Sequence, residues 1–245
     1  MREGTMKKLD QYKKELAGKS AEETLAWCLR EFSPERTLLA SSFSPEDQVL
    51  TDMLSKSGTA ARIFTLDTGR LFQETYDVMH HSMEKYHLRY ETCVPDSGEV
   101  AALLTTAGPN SMYRSREDRE RCCTIRKLKP LKKILGTADA WICGLRQDQG
   151  LTRKETEVIE WDALHGIYKI SPLFDWREEN VWRYIRHHDV PYNTLYDLGF
   201  RSIGCAPCTR ATAPDQDIRA GRWWWEEPEH KECGLHRRHA IQGKG

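Results

Sequence analysis

The sequence predicts an α/β fold, a sheet of short buried strands with amphipathic helices between them. Three observations carry this. Up to about residue 200, short apolar runs alternate with longer stretches whose apolar residues recur at helical spacing. Hydrophobic residues make up 39% of the 245 positions and charged residues 30%, a balance that supports a buried core and argues against disorder. No apolar run approaches the ~20 residues of a membrane span. The charged residues Arg2, Glu3, Lys7 and Lys8 stand where a signal core would be, so the expected location is cytoplasmic.

Strands are expected at 37–42, 61–66, 88–92, 140–145 and 166–170, each a short apolar run bounded by turn residues. Ser20-Ala21-Glu22-Glu23 is a capping box that opens a helix through Leu25, Trp27, Cys28 and Leu29. Further helices are expected at 45–57 and 71–86. Another follows Cys122-Cys123 and carries Ile125, Leu128, Leu131, Ile134 and Leu135. A last one over Glu178–His188 places Val181, Trp182 and Ile185 on one face. After Gly199 apolar runs become scarce apart from Trp223-Trp224-Trp225. The segment 199–245 therefore has to dock on 1–198, as part of the same domain, or be organised by a metal. From Arg237 onward it reads as an unstructured tail. No internal repeat is present.

Thirty-seven basic and 37 acidic side chains cancel, which excludes a generally basic nucleic-acid binder. The eight cysteines are more informative. Cys28, Cys93 and Cys143 stand alone among apolar residues and read as small buried hydrophobes. Cys122 and Cys123 are adjacent, and Cys205-Ala206-Pro207-Cys208 is a C-x-x-C. Neighbouring cysteines rarely reach disulfide geometry with each other, but both can face one metal group if the backbone turns there. Four thiolates suit zinc or a 4Fe-4S cluster, and the adjacent pair is unusual for tetrahedral zinc. Cys233 is separate. Lys231, His236, Arg237 and Arg238 around it would lower its pKa and favour the reactive thiolate.

Residues 37–47 read as a buried strand, a serine-rich turn and a helix start. Ser44 suits the N-cap, Pro45 the first helical position and Asp47 the third. A helix beginning just past a strand offers amide groups and a positive dipole end to an anion, and Ser41 and Ser42 add hydroxyl donors. No G-x-x-x-x-G-K-[ST] motif occurs, so the turn is not a Walker loop.

Ser41-Ser42-Phe43-Ser44-Pro45-Glu46-Asp47 resembles the modified PP-loop of the sulfonucleotide reductases, which act on adenylyl sulfate (APS) or phosphoadenylyl sulfate (PAPS). The resemblance continues through Leu66-Asp67-Thr68-Gly69-Arg70, Gly144-Leu145-Arg146, Lys169-Ile170-Ser171-Pro172-Leu173 and Pro191-Tyr192-Asn193. It closes with Arg219-Ala220-Gly221-Arg222-Trp223-Trp224-Trp225-Glu226 and Lys231-Glu232-Cys233-Gly234-Leu235-His236, and so spans nearly the whole chain. Ser44-Pro45 departs from the pattern, where glycine and a small residue are expected, and should stiffen the loop.

The resemblance implies a Rossmann-like PP-loop sheet (adenine nucleotide α-hydrolase-like) with flanking helices and a C-terminal cysteine-bearing tail. It implies cytoplasmic, assimilatory sulfate reduction serving cysteine biosynthesis. Cys233 would attack the sulfur of APS, releasing AMP and leaving an S-sulfocysteine from which thioredoxin releases sulfite. Cys122, Cys123, Cys205 and Cys208 match the ligands of one 4Fe-4S cluster per chain in the APS-using branch. PAPS or dual use is the alternative.

Substrate contacts are expected from Ser41, Ser42, Phe43, Ser44 and Asp47, from Leu66, Asp67, Thr68 and Gly69, and from Gly144. Lys127, one turn after Cys123, should link cluster and substrate. Arg146, Arg219 and Arg222 suit phosphate and sulfate oxygens, and His236 would tune the thiol or cap the tail. Homo-oligomerisation stays open; neither nucleic acid nor membrane is expected as a partner.

Plainer readings compete at several positions. Lys132 and Lys133 suit a solvated helix face, the Trp223–Trp225 run suits core packing, and Asp47 and Asp67 suit loop shaping. Adjacent His80-His81 and His187-His188 point apart on a helix and are not metal pairs. A tRNA-thiolating PP-loop enzyme would want a glycine-rich loop and a basic surface. A nucleotide-binding iron–sulfur or zinc regulator would have no use for the Cys233 thiol.

Overall fold

The computed structural model describes residues 3–58, 61–150 and 153–227. Six strands form one sheet in the order β3-β2-β1-β4-β6-β5. They are β1 (Thr37–Ala40), β2 (Arg62–Leu66), β3 (Tyr90–Cys93), β4 (Ala140–Ile142), β5 (Ile159–Asp162) and β6 (Ile167–Ile170). All neighbours pair in parallel except β5 with β6, which form an antiparallel hairpin at one edge. The eight α-helices among the described residues are α1 (Glu3–Leu16), α2 (Ala21–Glu31), α3 (Pro45–Lys56), α4 (Gln73–Tyr86), α5 (Ser97–Ala107), α6 (Arg116–Cys123), α7 (Lys129–Leu135) and α8 (Glu178–His188).

The α/β class holds, and the five expected strands are present but shorter. The regular strands end at Ala40 and Ile142; the Ser41 and Cys143 amides still donate to Phe64 O and Ile170 O, and the chain then leaves as loops through Ser42 and Gly144–Leu145 over the end of the sheet. The capping box at Ser20 forms with both hydrogen bonds, and α8 has the expected bounds. The segment around Cys122-Cys123 differs from expectation. The pair closes α6 instead of preceding a helix, and Thr124–Leu128 continue as a π-helical turn before α7. A π turn carries an extra residue per turn and re-aims the side chains on either side of it.

One face of the sheet is covered by α1, α2, α3 and α8. Leu39, Ile142 and Ile170 pack there with Val49, Leu50, Val181 and Ile185. Tyr12 meets Trp27, Phe32 and Tyr168 edge-on in the same layer. On the other face Leu38, Phe64 and Trp141 pack against Leu131 and Leu135 of α7. Strand order reverses between β1 and β4, and the crevice beyond the carboxyl ends of such strands is where open α/β sheets bind ligands.

Residues 199–227 have no regular strand but dock on this framework. The Ala206 amide donates to Arg70 O at 2.8 Å, Trp223 donates to Cys208 O at 3.2 Å, and Thr209 bridges Arg222.

Candidate active site

A cleft of about 240 Å³ opens at the β1/β4 crevice. Its floor is the loop 41–44 together with the start of α3. Ser44 caps that helix, its hydroxyl accepting from the Asp47 amide, and Pro45 occupies the first turn. Phe43 sits in the left-handed region at φ 60° with its side chain buried 5.0 Å from the Tyr90 ring, so tertiary packing holds a backbone conformation that non-glycine residues seldom adopt. Ser44-Pro45 therefore opens α3 with its N-terminal residues lining the cleft.

Asp47 closes the loop from behind. Its carboxylate accepts from the Ser42 amide at 2.7 Å and the Ser42 hydroxyl at 2.8 Å. Burial pushes its pKa up to about 6 against the pull of the Ser42 hydrogen bonds, with neighbouring Glu46 adding to the rise. Gly144, in the loop after β4, faces this corner. A Cβ there would lie 2.7 Å from both Asp47 Oδ1 and Glu46 Cβ, so only glycine lets β4 and α3 approach so closely. Asp67 likewise shapes a loop, accepting from the Gly69 amide at 2.8 Å and the Tyr76 hydroxyl at 2.9 Å. Leu66 and Thr68 line the cleft, whereas Asp67 and Gly69 are not among its lining residues.

Of the expected cationic residues, Lys127, Arg146, Arg219 and Arg222 all line the cleft. Arg146 is already engaged: its guanidinium binds Glu46 at 2.8 Å, with both side chains buried, and also reaches Asp148 and Trp176 O. Arg219 and Arg222 lie against one indole, Trp223, at 5.9 Å and 4.7 Å from the ring centre. The buried Glu46 was not foreseen. In sequence it looks like an ordinary acidic residue in a first helical turn, and nothing local announces a partner one hundred residues away. Tyr196 and Arg153 also line the cleft without a motif to mark them.

Next to the cleft, Cys122, Cys123, Cys205 and Cys208 line a second, smaller pocket. None of the four is in a disulfide. Lys127 and Trp223 belong to the walls of both pockets. Burial would raise the Cys205 thiol, but Lys127, a hydrogen bond with Thr68 and the Arg222 guanidinium bring it below its ordinary value. Burial and the neighbouring Cys205 push Cys208 up to about 12. Arg126 Nε and Trp223 Nε1, on side chains lining this pocket, are buried without a hydrogen-bond partner among the described residues. No group of three or more His, Cys, Asp or Glu side chains among the described residues is arranged to hold a single metal ion. Cys233 and His236 lie outside the described residues, as does the tail from Arg237. Cys28 and Cys143 are buried, as expected of lone cysteines, whereas Cys93 is half-buried on the edge strand β3. No described helix is long and apolar enough to cross a membrane.

Comparison with known proteins points one way. The phosphoadenosine phosphosulfate reductase domain matches residues 36–211. An adenosine 5'-phosphosulfate reductase of Allochromatium vinosum is 48% identical over 219 residues, covering 89% of this chain and 85% of that protein. One from Neisseria meningitidis serogroup B is 46% identical over 199 residues, 81% of each. Among solved structures, a phosphoadenylyl-sulfate reductase from Candida auris in complex with phosphate superposes with a TM-score of 0.69 at 30% identity, over 81% of this chain and 94% of that one. A yeast FAD synthetase, 16% identical and covering 78% of this chain and 66% of its own, shares the fold with a TM-score of 0.53.

Proposed function

The chain belongs to the phosphoadenosine phosphosulfate reductase family, and from that premise we propose that it is an oxidoreductase that reduces APS to sulfite and AMP in sulfate assimilation. Thioredoxin is the donor in this reading, and Cys233 carries the sulfur between them. The observation that carries the reading is the sharing of Lys127 by two pockets, an anion-suited cleft at the sheet's switch point and a pocket of four thiols.

The cleft is equipped for a nucleotide with charged oxygens. The α3 N-terminus and the Ser41 and Ser42 region receive the phosphate end, while Arg219, Arg222 and Lys127 supply positive charge. Arg146, expected as an anion ligand, lines the cleft with its guanidinium paired to Glu46. Its pairing with Glu46 fixes the loop after β4 against α3 and leaves less of its charge for the substrate.

The Cys233 thiolate attacks the sulfur of APS. A sulfur–sulfur bond forms, the bond from that sulfur to the phosphate oxygen breaks, and AMP departs with the electron pair. Negative charge grows on the leaving phosphate, where preorganised guanidinium and ammonium groups are most effective. One thiolate of reduced thioredoxin then attacks Cys233 Sγ and expels sulfite. Its second thiol closes the thioredoxin disulfide and returns Cys233 as the thiol.

The four cysteines fit a 4Fe-4S cluster. The donor set is all thiol, and the unpartnered Arg126 Nε and Trp223 Nε1, on side chains lining the pocket, would be available to donate to cluster sulfur. Bound there, the cluster would tie the end of α6 to the C-x-x-C segment and set the charge beside Lys127. The APS preference rests on this quartet and on the names of the relatives.

The test is mass spectrometry of protein incubated with APS and no reductant. A gain of about 80 Da on the peptide holding Cys233, removed by reduced thioredoxin, is expected from a covalent intermediate. An adduct on Cys28, Cys93 or Cys143 would overturn the assignment.

A further inference from the structure

Arg119 and Glu226 form a bidentate ion pair, Nε to Oε1 at 2.8 Å and Nη2 to Oε2 at 2.6 Å, with side chains only 1% and 7% exposed. Nothing in the reaction above uses either residue. Desolvating two charges is costly, and apolar residues of similar volume often give equal or greater stability, so a buried pair of this kind is best explained by the geometry it imposes.

That geometry joins two functional segments. Arg119 lies on α6, four residues before Cys123, and its guanidinium stacks 4.9 Å from the centre of the Trp223 ring. Arg222 packs against the same indole, 4.7 Å from its centre. Glu226 closes the turn after Trp223, its amide donating to Trp223 O at 2.8 Å. In sequence Glu226 stands seven residues before Cys233. Seven extended residues span at most ~25 Å, so the point where they start limits where the thiol can reach.

We propose that the Arg119–Glu226 pair is a positioning device for sulfur transfer. It pins the chain beside the cysteine pocket at a point seven residues before Cys233, and so limits the positions from which the thiol can attack. This rests on Cys233 being the nucleophile. Without the pin, the chain leaves from an earlier and less defined point. The thiol then loses orientation relative to the APS sulfur, although the cleft that binds the nucleotide is intact.

The experiment is single-turnover adduct formation at saturating APS without reductant, in wild type, Glu226→Gln and Arg119→Lys. APS affinity, iron content and melting temperature are measured on the same preparations. Glu226→Gln is expected to form the Cys233 adduct about tenfold more slowly, with APS affinity within about twofold of wild type and iron unchanged. Arg119→Lys keeps the charge but loses the fork, and should fall between the two. An adduct rate in Glu226→Gln equal to wild type would overturn the proposal. So would a loss explained wholly by weaker APS binding, lower iron or a lower melting temperature. If wild type itself forms no adduct on Cys233, the nucleophile assignment fails first and the positioning role fails with it.

Discussion

Thr68 Oγ1 and Cys205 Sγ stand 3.2 Å apart, joining the loop after β2 to the C-x-x-C segment. Thr68 also lines the cleft at the β1/β4 crevice, so one short side chain links that cleft to a cysteine of the second pocket. Lys127 does the same from the π turn after α6. The two pockets therefore share walls, and a change in one is expected to register in the other.

The first prediction follows from the shared sulfur pocket. Anaerobically purified protein should hold about four iron and four sulfide per chain. Serine at Cys122, Cys123, Cys205 or Cys208 should each remove most of the iron and most of the activity. Stoichiometric zinc without iron, by elemental analysis, would contradict the assignment.

Asp47 predicts a pH dependence of stability. Its carboxyl is raised from 3.8 to about 6 in the folded protein, chiefly by burial. The folded state thus holds a proton that the unfolded chain releases. The stabilisation is complete below about pH 4 and is lost as pH rises through about 6. Asn at this position keeps an acceptor for Ser42 but cannot ionise. Denaturant melts of Asp47→Asn and wild type should diverge in favour of the variant between pH 4 and pH 7, by up to about 3 kcal/mol. Parallel curves would show that Asp47 ionises without cost.

Arg146 predicts a stability defect of a different kind. Removing its guanidinium leaves Glu46 buried without its partner, so Arg146→Ala should lose about 3–5 kcal/mol. Pairing it with Glu46→Gln should recover part of that loss, because the stranded charge is gone. Equal losses in the single and double variants, read from urea midpoints, would mean the pair does not couple β4 to α3.

Much of this was legible from residue pattern. The strand–turn–helix at 37–47 and the amphipathic α8 rest on local rules of burial period and capping, and both stand where expected. The quartet was visible as sulfur chemistry before any fold was known. Elements without local signatures were not legible. A π turn has no composition of its own, and β5, Ile-Glu-Trp-Asp, carries two carboxylates that mask an edge strand. Helix α1 buries only Leu9, Tyr12 and Leu16 among many charges. The Arg146–Glu46 and Arg119–Glu226 pairs join residues about a hundred positions apart, which no window along the chain can see.

The most direct test of the central claim is sulfite release by anaerobically prepared protein with reduced thioredoxin, measured on APS and PAPS side by side. A preference for APS of at least about tenfold in kcat/KM, about 1.4 kcal/mol in discrimination, is the expected result. It should vanish with Cys233→Ser, while that variant keeps its iron and its affinity for APS. Equal turnover of the two nucleotides would contradict the substrate assignment, and full activity in Cys233→Ser would contradict the mechanism.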